Sequence, residues 1–176
     1  VSGLFVYRRW DVFRAFFKEH WRDMLYVEII FATLYVFWVY LRYFNPDLWH
    51  PVSGGEKPMD FAYLNAIIKS TWFPPYDPWF TGGTMNYYYF GFVMVGSLIK
   101  ALGIVPSVAY NLVVPALYAM TGVGAYTIAS NLAGGDARRG LRAGLLGMFL
   151  VLVLGNLGEL RLLFTGLEAI GDVQFD

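Results

Sequence analysis

The chain has no cysteine. That excludes disulfides, thiolate metal sites and cysteine nucleophiles, and it leaves the redox compartment unread. Histidine is almost as scarce. His20 and His50 are the two present, too few for a histidine-rich metal or haem centre. Charge is short as well: 15% of the 176 residues are Asp, Glu, Lys or Arg, against roughly 25% in an ordinary soluble domain. The formal net charge is zero, so no nucleic-acid partner is expected. There is no internal repeat and no low-complexity tract. No cleavable leader is expected either, because residues 1–22 are broken by charges every few positions. Opening on valine and ending in "GDVQFD", the chain reads as part of something longer.

What is abundant is apolar and aromatic. Hydrophobic residues make up 57% of the chain and aromatics 19%, which points to a membrane solvent. Residues 1–23 are expected to form an amphipathic interfacial helix. Val6, Trp10, Phe13, Phe17 and Trp21 recur at helical spacing, while Arg14, Lys18 and Arg22 line another face. A soluble amphipathic helix is the plainer alternative. Residues 24–44 read as a transmembrane helix: twenty-one residues rise about 30 Å, the thickness of the hydrocarbon core. Arg42 can snorkel to the headgroups. Glu28 is costlier in lipid and is expected to face a polar or cationic partner in the bundle or a neighbouring chain.

Residues 86–176 are expected to hold about three further spans: a short one at 86–102, a charge-free one at 108–133, and one within 142–164. Glycines 140, 144, 147, 155 and 158 permit close helix contact. Asn111, Asn131 and Asn156 suit hydrogen bonds between helices. The predicted fold class is therefore all-α. It is a polytopic transmembrane helix bundle with an N-terminal interfacial helix and a long structured outer loop.

Orientation is divided. The basic N-terminal segment votes for the cytoplasm and puts the long loop outside. Plain alternation of spans then puts Arg138, Arg139 and Arg142 outside too, against the rule. A return of 108–133 at Pro115 and Gly122 would relieve the conflict.

The loop, 45–85, holds the chemistry-bearing residues. Its middle reads as a helix started by Asp60, with Phe61, Leu64 and Ile68 as its apolar stripe and Phe73-Pro74-Pro75 as its stop. Pro58 favours extended backbone at Glu56 and Lys57. Three acids, Glu56, Asp60 and Asp77, are candidates to converge. A carboxylate can serve as general base toward a hydroxyl, or hold a divalent cation against a diphosphate. Lys57 or Lys69 could offset charge on a leaving group. In the plain reading Asp60 caps a helix, Asp77 makes an Asp-Pro turn and Glu56 is solvated. Tyr87, Tyr88 and Tyr89 are equally explained as an interfacial belt. His20 and His50 read as interfacial polar residues.

Several linked elements carry a resemblance: Glu56-Lys57-Pro58-Met59-Asp60, Phe73-Pro74-Pro75, Asp77-Pro78-Trp79, Asn86-Tyr87-Tyr88-Tyr89-Phe90-Gly91, and Tyr110-Asn111. Together they resemble the prokaryotic "YYY" integral membrane proteins. The layout of these proteins is similar to the GT-C class of glycosyltransferases, which have many spans and an essential acid on a long first outer loop. The resemblance implies an enzyme of the cytoplasmic membrane, its long loop facing outside, that transfers sugar from a polyprenyl-phosphate carrier. It implies Asp60 as general base, Glu56 as its partner or a metal ligand, and Asp77 as a third candidate. Lys57 would meet phosphate, while Trp79, Tyr87, Tyr88 and Tyr89 would line the sugar or lipid pocket. Membrane lipids and the polyprenyl-phosphate sugar are the expected partners. The rival reading is a non-catalytic membrane subunit packed against other subunits of a larger complex.

Overall fold

A computed structural model describes residues 6–48 and 55–155. The chain divides into two compact units, Val1–Tyr35 with Tyr118–Asp176, and Val36–Leu117. Among the described residues the fold is all-α. A single isolated bridge joins Tyr76 and Thr84.

The first long helix, α1, runs Trp10–Phe44. The expected break between an interfacial helix ending at 23 and a span starting at 24 is absent. The reason is local: no glycine or proline lies between Trp10 and Phe44, so nothing interrupts the backbone bonds. The helix stops before Asn45-Pro46, where the proline disfavours helical backbone at the preceding residue. None of its side chains is buried. Glu28 is exposed and meets no partner among the described residues, so the expected polar neighbour is not found there.

Helix α2, Lys57–Lys69, lies in the loop, followed by α3, Phe90–Leu102, and α4, Pro106–Ala133. Helices α1 and α4 are long and apolar enough to cross a membrane; α3 is apolar but shorter. At about 1.5 Å per residue its 13 residues rise about 20 Å, short of a ~30 Å hydrocarbon core. Helix α4 continues unbroken through Pro115 and Gly122, so the chain does not turn back there. Helix α5, Ala137–Phe149, opens on Asp136, whose carboxylate accepts from the Arg139 N–H at 2.8 Å. Gly134 and Gly135, both at positive φ, supply the turn that a residue with Cβ would resist. A π-helical segment, Leu150–Leu154, follows.

Within the unit Val36–Leu117, α2 packs on α3 and on the start of α4. Leu64, Ile99 and Ala109 form one buried cluster, flanked by Phe61, Ile68 and Phe92. The stripe Phe61, Leu64 and Ile68 is thus the face that meets this core. Gly96 lets the two helices close: a Cβ there would touch Ile67 and Ile68 at 3.4 Å. Tyr63, Ala66 and Met85 make a second cluster. The segment after α2 is tied to itself by backbone bonds, Met85 N–H to Pro75 O at 2.8 Å and Asp77 N–H to Gly83 O at 3.0 Å. Gly103 in the left-handed region ends α3.

Within the other unit, glycines bring α4 and α5 together. A Cβ on Gly144 would meet the Tyr126 ring at 2.6 Å, and one on Gly140 would meet Ser130 Oγ at 3.1 Å. A Cβ on Gly147 would press on Ala129. The expected small-residue contact is realised at these three positions. Gly155 faces its own helix through Val151 O. His50, Asn156, Gly158 and the end of the fourth expected span lie outside the described residues.

Candidate functional site

The site forms where α2 begins. Its first helical residue is Lys57, with Glu56 at the cap position and Pro58 in the first turn. The expectation that Asp60 starts the helix and that Glu56 and Lys57 are extended is corrected here. A proline in the first turn lacks an N–H that would have had no helical partner there, and its fixed φ suits the helix. Asp60 therefore sits a turn inside, its N–H donating to Glu56 O at 2.9 Å. Four residues later on the same face comes Leu64, fully buried in the core. The core thus draws Asp60 to its edge, where the carboxyl is partly buried.

Asp60 meets Tyr110 there. The Tyr110 hydroxyl donates to Asp60 Oδ2 at 3.4 Å, and its ring lies edge-on to Phe61 at 6.0 Å. The two polar groups border a cavity of about 480 Å³ between α2, α3 and the start of α4. Tyr88 shares it. The remaining wall is apolar, with Leu64, Phe92 and Val114 among its residues. Burial raises the Asp60 carboxyl above its ordinary 3.8, and the charge of Glu56 raises it further; the Tyr110 hydroxyl pulls it back.

The three tyrosines have three different surroundings, and all precede α3 instead of lying on it. Tyr88 faces the cavity. Tyr87 lies against Tyr88, ring centroids 3.8 Å apart, and donates its hydroxyl to that of Tyr88 at 2.6 Å. That bond is the first cause holding the Tyr87 phenol up at about 12. Tyr89 stacks on Phe73 at 6.3 Å and packs on the Tyr63, Ala66 and Met85 cluster.

The other predicted site residues are not on the cavity. Glu56 is exposed, one step outside the helix; its side chain reaches Asp60 by charge, beside the backbone bond already described. Asp77 Oδ1 accepts from the Trp79 N–H at 2.8 Å, the Asp-Pro turn of the plain reading. Trp79 is exposed. Lys57 lies in the first turn of α2, away from the cavity wall. Among the described residues no three metal-binding side chains come together. Among the described residues lining the cavity, Asp60 is the one carboxylate.

Tyr110 as the partner of Asp60 was not assigned from the sequence; its one signal was the Tyr110-Asn111 pair. Asn111 joins segments as expected of it. Its Oδ1 accepts from Arg42 Nε at 2.9 Å and from Arg42 Nη2, and its Nδ2 donates to Ser107 O at 3.1 Å and Pro46 O at 3.3 Å. Arg42 is thereby held by protein instead of extending freely to headgroups.

Comparison with known proteins places the chain by family. No curated protein and no solved structure matches it. One family's sequence model, described as "Uncharacterized membrane protein (DUF2298)", covers residues 1–174. With two helices able to span a bilayer and a match along nearly its whole length, the chain belongs to the uncharacterized membrane protein family DUF2298.

Proposed function

We propose that the cavity beside Asp60 is the donor site of a GT-C-like glycosyltransferase that takes its sugar from a polyprenyl-phosphate carrier. One observation carries this reading: a partly buried carboxylate stands at the edge of an otherwise apolar cavity, with two tyrosines beside it. An isoprenoid chain needs the apolar wall, and a sugar needs the polar rim. Asp60 accepts the proton of the acceptor hydroxyl. The acceptor oxygen bonds to the anomeric carbon, the bond from that carbon to the carrier's phosphate oxygen breaks, and polyprenyl phosphate departs. A carboxyl held above its ordinary value is a stronger base than an ordinary aspartate. Lys57, three residues before Asp60 on the same helix and outside the cavity wall, would meet a phosphate held at the rim.

The helix lengths support an outward-facing loop. With α3 too short to span, α1 and α4 make two crossings. Arg8, Arg9, Arg14, Lys18 and Arg22 then share a side with Arg138, Arg139 and Arg142, as the positive-inside rule asks. The conflict met with three spans disappears. The loop from 45 to 105 is on the opposite side, the outer face of the cytoplasmic membrane.

The test is Asp60→Asn in the full-length protein, reconstituted with a polyprenyl-phosphate-linked sugar and assayed for transfer. Loss of a general base lowers turnover by about 10²–10⁴-fold. Transfer retained in this variant removes Asp60 from the chemistry. The non-catalytic subunit reading then leads, favoured by the absence of any buried side chain on α1.

A further inference from the structure

The basic cluster of α5 plays no part in the site around Asp60. Arg138, Arg139 and Arg142 are exposed. Among the described residues, none of their guanidinium groups has an ion pair or hydrogen bond to protein. With Asp136, Ala143 and Leu146 they line a groove of about 510 Å³. Asp136 is the one acid there, and its Oδ1 already accepts the Arg139 N–H as the helix cap. The groove is left net positive.

The groove continues into something apolar. At about 100° per residue, Arg138, Arg139, Arg142, Leu145, Leu146 and Phe149 fall within an arc of about 120°. Leu145, Leu146 and Phe149 are 42%, 58% and 47% exposed. From Arg142 to Phe149 the axis rises about 10 Å. One face of one helix is therefore cationic at its start and apolar below. A soluble anion would use the arginines and leave Leu146 and Phe149 unexplained. A zwitterionic lipid would bring a cationic group of its own up to the three guanidiniums.

We propose that this face of α5 binds an anionic phospholipid, its headgroup phosphate on Arg138, Arg139 and Arg142 and an acyl chain along Leu145, Leu146 and Phe149. Guanidinium groups suit phosphate oxygens by their paired donors. The surface charge of an anionic leaflet adds to the attraction. This site is independent of the donor cavity and stands whether or not sugar transfer is found.

The full-length protein in detergent is titrated with fluorescent phosphatidylglycerol and, separately, with phosphatidylcholine. The variant Arg138→Gln/Arg139→Gln/Arg142→Gln should weaken phosphatidylglycerol binding by at least about tenfold, and phosphatidylcholine binding by less than about twofold. The unchanged neutral lipid reports that the variant is folded. The variant Arg8→Gln/Arg9→Gln/Arg14→Gln removes the same charge elsewhere and should stay within about threefold of the parent. Equal binding of phosphatidylglycerol by the α5 variant overturns the proposal. So does an equal loss in the N-terminal variant, which would mean bulk charge alone. Displacement of the lipid by inorganic phosphate would reassign the groove to a free anion.

Discussion

Tyr110 on α4 donates its hydroxyl to Asp60 on α2 at 3.4 Å, across fifty positions of sequence. The carboxylate keeps acceptor sites free for a second donor. The bond opposes the two influences that raise Asp60, burial and the charge of Glu56. These influences can be separated by substitution. Tyr110→Phe removes the one that favours the charged form, so the acid limb of the pH–kcat/KM profile for transfer should move to higher pH. Glu56→Gln removes a neighbouring negative charge and should move the same limb to lower pH. Shifts in the same direction for both variants would contradict the geometry.

The same electrostatics sets a stability expectation for Asp60→Asn. A carboxyl whose folded pKa is raised contributes its stability in full below the unfolded value near 3.8, and loses it as pH rises through the folded value. Once ionised, Asp60 therefore opposes folding. The Asp60→Asn protein should show a thermal midpoint in detergent no lower than the parent at pH 7, while losing transfer. A lower midpoint would tie the loss of activity to folding.

Gly144 and Gly124 make a matched pair. A Cβ at Gly144 would strike the Tyr126 ring at 2.6 Å and the Tyr126 carbonyl at 3.0 Å, whereas nothing lies within 4 Å of one at Gly124. Gly144→Ala should cost about 1–3 kcal/mol by overpacking. Gly124→Ala should be neutral or gain up to about 1 kcal/mol from helix propensity. Thermal midpoints would separate the two by several degrees, at roughly 2–4 °C per kcal/mol for a chain of this size.

These 176 residues hold no cysteine, so single introduced thiols can read their membrane topology. A single cysteine placed at Thr81 in the loop should react with a membrane-impermeant maleimide added to intact cells. One placed at Arg139 should react only after the membrane is opened. Labelling of both from outside would restore the three-span count.

Much of the architecture is legible from local pattern. Long apolar runs identify the spanning parts of α1 and α4, and the Phe61, Leu64 and Ile68 spacing identifies the buried face of α2. Helix limits were less legible. The Pro58 rule pointed the wrong way because a proline in a first turn and a proline ahead of a turn look alike in sequence. A 17-residue apolar window at 86–102 read as a span, yet its tyrosines are not helical. Their side chains lie instead against Phe73, Tyr63 and one another.

Composition and periodicity by themselves determined the solvent of this protein, its helical class and the loop that holds its acids, because each of these depends on neighbours in sequence. Which acid reaches the cavity was decided by tertiary structure alone. Glu56, Asp60 and Asp77 are chemically equivalent until α4 brings Tyr110 to one of them and the core buries it. A turn takes the second and solvent takes the third. Burial and a hydrogen bond from a distant helix are long-range properties, and no spacing of carboxylates along a loop encodes them.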